Sequence, residues 1–373
     1  GQPTVLKKGR PAPAPKKVVQ QEALTEQTQQ LPIVQTGLTV IAPGMDLPVH
    51  DDDARSAARH HLSNLDIRRA GLGALAQTVV FAAGTQSKIV PQAWERPHMF
   101  LLHGVHEGDI AAGDSTAVAA LQAEQAQRGE GPIGLLATWN GVSLKVVEAE
   151  TADDMAYGRA ASPETIEAML NEGMRLADEA VDSGADLIIL GSCGAGAEAT
   201  AAAIVARITG AEIATLLGRI VGPDGSIDDS SWMLRCAAAR DALHRVRNHD
   251  LLAKTLLSEL AGADFAVAVG IVLGATARRT AVLMDGPVAT ASALLARDLG
   301  SQSRLWCALP DHGEHPTTKA AADVLGLTPI LDLKVDLGEG ATSLLALPLL
   351  RAGLHLSAAL DTKPAVIGAD EPR

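Results

Sequence analysis

Short, almost continuously apolar segments alternate with alanine-rich segments along most of this chain. Strands are predicted at HMFLLHG (98–104), SLKVVEAE (143–150), DLIIL (186–190), TAVLMDG (280–286), SRLWCAL (303–309) and TPILDL (328–333). Strands that are apolar throughout are typical of parallel sheets covered on both faces, with helices as the connections. The pattern therefore predicts an α/β fold, in which ligands bind beyond the carboxyl ends of the strands.

The helices between these strands carry recognisable start and stop signals. In the segment 161–185, Ser162 is a plausible N-cap, Pro163 occupies the first helical position and Gly184 ends the helix. The segment EATAAAIVARITG is predicted as a helix closed by Gly210. Residues 50–85 also show helical periodicity.

Composition excludes several functional classes. Aromatic residues make up 2% of the 373 residues and the net charge is −13, which disfavours nucleic-acid binding by base stacking or phosphate contacts. The three cysteines form no CxxC motif, so neither a disulfide scaffold nor a zinc site is indicated. The longest apolar run, 265–277, is too short to span a bilayer, and no secretory signal is recognisable. We expect a soluble, cytoplasmic protein without nucleic-acid or membrane partners.

Two loops that follow predicted strands concentrate polar or small residues. His103, His106 and two acids follow the first strand; a metal site is one interpretation and a turn with solvated acids is the other. Gly194 and Gly196 follow DLIIL and open a helix, where free N–H groups favour an anion. A tight strand–helix turn and a dinucleotide-binding loop are the alternatives for this glycine loop.

Two charged residues stand out in later segments. Arg235 lies in the helix after the turn 221–229, where it either reaches a phosphate or is a solvated helix charge. Glu339 lies between Gly338 and Gly340 and precedes the apolar segment LLALPLL. Partial desolvation there would raise its pKa and make it a better general base, whereas the alternative is an exposed loop glutamate.

These segments, in this order, resemble the nicotinate-nucleotide–dimethylbenzimidazole phosphoribosyltransferase family from about residue 50 to about residue 360. The resemblance is carried by GADLIILGSCGAGAEATAAAIVARITGAE, SIDDSSWMLRCAAARDALHRV, RRTAVLMDGPVATASALLA and, most specifically, the LGEG in LGLTPILDLKVDLGEGATSLLALPLLRAG. It implies a Rossmann-like parallel sheet with helices on both faces, plus a small helical domain from N- and C-terminal segments. The predicted divisions are a flexible basic leader (1–45, or a basic docking arm), a helical part (46–90), a phosphoribosyltransferase domain (91–350) and a C-terminal helix and tail (351–373).

The resemblance also implies a reaction and its residues. Phosphoribose would pass from nicotinate mononucleotide to an aromatic base, with Glu339 as the catalytic base and no metal or cofactor. The implied substrate-binding residues are Ser192, Gly194, Gly196, Arg235, Gly338, Gly340, His103 and Asp285. A homodimer, or a heterodimer with a paralogue, is the implied assembly.

This chain departs from the family pattern in the nucleotide-binding loops. In the family motif GEMGIGNTT, Ser192 replaces the acid, Ala197 the asparagine, and Glu198 and Ala199 the two threonines. Arg235 stands for a lysine, and the family stretch VSAYP becomes residues 110–114, IAAGD. Two interpretations follow: an active enzyme of altered specificity, or a divergent paralogue that acts in a hetero-oligomer or binds a nucleotide or base.

Overall fold

The computed structural model describes residues 40–67 and 71–364. Most of the predicted leader, 1–45, lies outside these residues, as does the end of the predicted C-terminal tail. The helices, in chain order, are α1 (Asp52–Asn64), α2 (Leu75–Gln86), α3 (Thr116–Gln127), α4 (Gly131–Trp139), α5 (Pro163–Asp182), α6 (Ala197–Thr209), α7 (Ile213–Leu216), α8 (Asp229–Arg245), α9 (Ala253–Leu256), α10 (Ala263–Ala277), α11 (Gly286–Leu299), α12 (Pro316–Leu325) and α13 (Ala341–Ala359).

Five parallel strands form the central sheet. They are β1 (Pro97–His103), β2 (Ser143–Glu148), β3 (Leu187–Ser192), β4 (Ala281–Met284) and β5 (Cys307–Ala308), in the spatial order β2-β1-β3-β4-β5. This arrangement confirms the predicted α/β class and the parallel sheet. The predicted strands at 98–104, 143–150, 186–190 and 280–286 correspond to β1, β2, β3 and β4.

Two predicted strands differ in the structure. The segment SRLWCAL is a 3₁₀ helix over Ser301–Trp306 followed by the two-residue β5. The segment TPILDL is irregular, although the N–H groups of Ile330 and Leu331 still donate to the carbonyls of Leu309 and Pro310. Pro310 and Pro329 have no N–H to donate, so the ladder cannot continue beside β5.

The strands divide their side chains between two hydrophobic layers. Phe100, Leu102 and Ile188 face one layer, together with residues of α5, α6, α10 and α11. Met99, Leu101 and Ile189 face the opposite layer, with α2, α4 and α13. Because successive side chains of a strand point to opposite faces, helices on both sides are needed to bury them.

The N- and C-terminal parts of the described chain meet beside this second layer. Leu65 forms an antiparallel bridge with Thr362, and α2 packs against α13. The predicted division at 350/351 falls within the continuous helix α13. This helix is long and apolar enough to cross a membrane by length and composition alone, but slightly more than half of it is buried within the protein. It is therefore accounted for as a core helix.

A glycine contact fixes the distance between α5 and α10. A Cβ atom on Gly270 would overlap the carbonyl oxygen of Leu170, and one on Gly173 would overlap that of Val267. The two backbones therefore touch, and neither glycine has room for a side chain.

Substituting Gly270→Ala should separate these helices and lower the free energy of unfolding by about 2–3 kcal/mol. Gly158→Ala is the matched control, because a Cβ there meets open space, and its effect should stay within about 0.5 kcal/mol. Urea denaturation of both variants measures the difference. Equal stability of the two variants would contradict the close packing of α5 on α10.

Candidate active site at the carboxyl edge of the sheet

Three loops meet beyond the carboxyl ends of the central strands. Val105, after β1, bridges to Ala195, after β3, and Ser192 at the end of β3 bridges to Glu339. The carboxylate of Glu339 reaches the first turn of α11, which follows β4. The predicted site residues Ser192 and Glu339 therefore lie together at the carboxyl edge of the sheet.

Glu339 is held through both its backbone and its side chain. The backbone N–H of Ser192 donates to the Glu339 carbonyl at 3.1 Å, and the N–H of Val288 donates to Glu339 Oε2 at 3.0 Å. Gly338 and Gly340 have φ angles of 96° and 114°, which side-chain-bearing residues rarely adopt. The two flanking glycines therefore allow the turn that directs the carboxylate towards α11.

The surroundings of Glu339 favour its protonated form. Burial raises the pKa of Glu339 well above its ordinary value; the nearby charge of His315 lowers it, while those of Glu198 and Asp285 raise it further. A carboxylate of raised pKa is a stronger proton acceptor once it is ionised. Proton exchange at the carboxyl of Glu339 is therefore shifted towards neutral pH.

An ion pair that the sequence analysis missed lies next to this carboxylate. His315 Nδ1 is 3.3 Å from Glu198 Oε1. Burial opposes protonation of His315, but the hydrogen bond and charge of Glu198, with the charges of Glu339 and Asp336, outweigh it and raise the pKa of His315 to about 9. Likewise, burial of Glu198 is outweighed by His315, so the pKa of Glu198 is lowered. The site therefore contains an imidazolium at neutral pH.

The signal that could have identified His315 is its place after β5. It is the N-cap residue of α12, in the same topological position as the other post-strand residues. The predicted strand at 303–309 ends only one residue beyond β5, so the loop that follows could be located from the sequence.

Asp285 forms a hydrogen bond just beyond the C-terminal end of the Glu339 loop. Its Oδ2 accepts from the backbone N–H of Ser343 at 2.6 Å, in the first turn of α13. Burial raises the pKa of Asp285 to about 6, against the lowering effect of the N–H groups of Gly340 and Ser343. The contacts described for this predicted substrate-binding residue are thus to the loop that carries Glu339.

The glycine loop joins β3 to α6 and packs closely against the backbone of the loop after β1. A Cβ on Gly194 would overlap the Gly104 carbonyl oxygen, and Gly196 has a φ of 77°. The N–H of Gly196 donates to Asp114 Oδ2 at 2.7 Å. Arg235, from α8, donates through Nη2 to Asp114 Oδ1, also at 2.7 Å. Gly196 and Arg235 are therefore brought together, through the carboxylate of Asp114.

The histidines of the first loop already have protein partners. His103 Nδ1 lies 3.3 Å from the carbonyl oxygen of Cys193, and His106 Nε2 lies 2.9 Å from Asp264 Oδ2. Within the described residues, the group of three side chains spaced to hold a metal ion is instead His312, Glu314 and Asp332, whose two acids are exposed.

The chain matches a known family over most of its length. The phosphoribosyltransferase family DBI_PRT matches residues 47–365. The chain is 34% identical to the nicotinate-nucleotide–dimethylbenzimidazole phosphoribosyltransferase of Mycobacterium avium, over 84% of this chain and 94% of that protein. The enzyme of the same name from Corynebacterium efficiens is 32% identical, over 84% of this chain and 88% of that protein.

A solved structure has the same fold. The crystal structure of the nicotinate-nucleotide–dimethylbenzimidazole phosphoribosyltransferase from Thermus thermophilus superimposes with a TM-score of 0.75. The match covers 84% of this chain and 97% of that one, at 23% sequence identity. At this identity, the likeness supports the fold.

The Glu198–His315 pair should make stability depend on pH. A histidine whose folded pKa of about 9 exceeds its ordinary value near 6.5 stabilises the fold fully below pH 6.5 and loses that effect as the pH rises through 9. The difference in unfolding free energy between the wild type and His315→Gln should therefore shrink by about 2–3 kcal/mol over this interval.

The measurement is urea denaturation at pH 6, 7.5 and 9.5. His355→Gln, an exposed histidine of α13, is the control and should show no such convergence. A constant difference between the wild type and His315→Gln across the series would mean that folding does not raise the pKa of His315.

Proposed function

The chain belongs to the nicotinate-nucleotide–dimethylbenzimidazole phosphoribosyltransferase family, and from this membership we propose that it transfers phosphoribose from nicotinate mononucleotide to an aromatic, benzimidazole-like base. The observation that carries the proposal is Glu339, a desolvated carboxylate at the carboxyl edge of the sheet, fixed by the N–H of Val288. The product is the lower-ligand nucleotide of a cobamide.

The reaction exchanges one glycosidic bond for another. The base nitrogen attacks C1′ of the ribose as the C1′–nicotinate bond breaks, and the bonding electron pair returns to the pyridine nitrogen of nicotinate. Glu339 accepts the proton of the base N–H. Because a pyridinium leaves as a neutral pyridine, positioning and one general base are sufficient chemistry.

The neighbouring loops have separate roles in this proposal. Gly194, Gly196 and Ser192 lie against the ribosyl group, and His103 borders the same edge of the sheet. Asp285, Gly338 and Gly340 act through Glu339, because they hold the turn from which its carboxylate extends. The imidazolium of His315 acts on Glu339, because its positive charge lowers the pKa of this base and so favours the ionised form.

The acceptor specificity differs, in this proposal, from that of a benzimidazole enzyme. Residues 110–114 take the place of the family stretch VSAYP, and they contribute the buried Ile110 and small side chains. A planar base would pack on aliphatic groups there, without the aromatic contacts that strengthen stacking. We therefore expect this protein to select its acceptor base less strictly than a benzimidazole enzyme does, or to prefer a different base.

One observation favours the alternative, a weakly active paralogue that works in a hetero-oligomer. The predicted phosphate-binding groups Gly196 and Arg235 already hold Asp114. Activity that appears only on mixing with a second paralogue would support this alternative.

We also propose a cytoplasmic homodimer or heterodimer. The second helical layer supports an interface, because Leu121, Leu135 and Trp139 on α3 and α4 are 48%, 41% and 73% exposed. Leu135 and Trp139 are four residues apart and so share one face of α4, and contiguous exposed apolar side chains are typical of protein contacts.

Glu339→Gln keeps the size of the side chain but cannot accept the proton. The rate of nicotinate release from nicotinate mononucleotide, with a panel of bases, should fall by about 10²–10⁴-fold. Asp332→Asn, an exposed acid on the segment leading to the same loop, is the control and should retain wild-type turnover. Equal slow release by the wild type and Glu339→Gln would refute the proposed function.

The pH profile of nicotinate release should depend on His315. The base acts only when ionised, so the rate falls as the pH drops below the pKa of Glu339. His315→Gln removes the positive charge that lowers this pKa, so the acidic limb should move to higher pH. Stopped assays from pH 5 to 9 measure the limb, and His355→Gln should leave it in place. A shift of the limb to lower pH would contradict the assignment of Glu339 as the base.

A further inference from the structure

Asp114 accepts hydrogen bonds from two donors that could otherwise bind an anion, one in the glycine loop and one on α8. Its Oδ2 accepts from the N–H of Gly196 and its Oδ1 from Nη2 of Arg235, each at 2.7 Å. One carboxylate oxygen thus faces the start of α6 and the other faces α8. These are the charge-assisted contacts that a phosphate makes at a helix N-terminus beside an arginine.

Arg235 cannot easily turn away from this arrangement. Its Nε donates to the carbonyl of Ala112 at 2.6 Å, and its side chain is only 6% exposed. The side chain of Asp114 is 32% exposed, so the carboxylate is far more accessible to solvent than the guanidinium with which it pairs. An anion approaching from solvent meets the carboxylate before it meets the cation.

Around Arg235, carboxylates outnumber the positively charged side chains. Besides its ion pair with Asp114, the guanidinium acts on two other acids. Hydrogen bonds from Ser231 are the main cause that lowers the pKa of Asp228, and the charge of Arg235 lowers it further. The same charge contributes to lowering the pKa of Glu198. The cation His315 is itself paired with Glu198. A phosphate dianion would thus enter a loop whose cations are already matched by carboxylates.

We propose that Asp114 is a specificity-determining residue, whose carboxylate takes the position of a ligand phosphate at Gly196 and Arg235 and thereby weakens the binding of phosphorylated ligands. The inference rests on the proposed function in one respect, that the ribosyl donor lies against this glycine loop. A phosphorylated donor must displace Asp114, whereas a donor without the phosphate need not.

The direct test is the affinity for inorganic phosphate, measured by calorimetry. Asp114→Asn keeps the shape but removes the charge and should bind phosphate at least tenfold more tightly than the wild type. Asp114→Glu keeps the charge and should show no gain. Asp109→Asn, an exposed acid five residues earlier, is the matched control for a general loss of negative charge and should also show no gain. Phosphate binding by Asp114→Asn no tighter than that of the wild type would overturn the inference, provided that circular dichroism shows both proteins folded.

A second measurement uses the wild type alone, and so does not depend on how well a variant folds. Nicotinate riboside and nicotinate mononucleotide differ only in the 5′-phosphate, which should strengthen binding by less than tenfold. A gain of 100-fold or more would refute the role of Asp114.

The outcomes also separate this inference from the proposed function. Tighter phosphate binding by Asp114→Asn without nicotinate release from any form would support the inference and refute the function. Nicotinate release dependent on Glu339, with unchanged phosphate affinity in Asp114→Asn, would do the reverse.

Discussion

The close passage of the Glu339 loop over the end of β3 is the contact on which the site depends. A Cβ on Gly191 would lie 2.5 Å from the Glu339 carbonyl oxygen and 2.9 Å from Cα of Gly340. Only with a glycine at 191 can the N–H of Ser192 reach that carbonyl. On the other side, Asp285 caps the first turn of α13 and fixes where the loop must end. The carboxylate of Glu339 is placed by these backbone contacts rather than by side-chain packing.

The site is also a balance of buried charges. Glu339 and Asp285 have raised pKa values because burial disfavours their ionised forms. His315 carries a positive charge because Glu198 is next to it. Glu198 and Asp114 both differ from the residues of the family motifs, and each pairs with a local cation. Glu198 pairs with His315, and Asp114 pairs with Arg235. The first of these acids raises the pKa of Glu339, and the second occupies the N–H of Gly196 and the guanidinium of Arg235.

The sequence predicted the parts of this structure that follow local rules. β1, β3 and β4 are mostly apolar, and α5 has a serine N-cap followed by Pro163, so both types of element could be recognised without tertiary information. Glu339 could be singled out because a charge between two glycines needs an explanation. Secondary structure could not be predicted correctly for the segments 303–309 and 328–333. Whether they extend as strands depends on backbone N–H groups, which Pro310 and Pro329 lack. The engagement of Arg235 with Asp114 could not be predicted, because the two residues are far apart in sequence and their contact arises only when α8 packs on the loop after β1.

The hydrogen bond between Ser192 and Glu339 also joins two parts of the chain that are synthesised at different times. A chain that grows from its N-terminus at roughly 5–20 residues per second completes β3 about 7–30 s before Glu339 is added, because about 150 residues separate them. During that interval the first strands exist without the segment that later closes over them. A chain that ended before Glu339 would lack both this carboxylate and α13, and so would leave one face of the sheet uncovered.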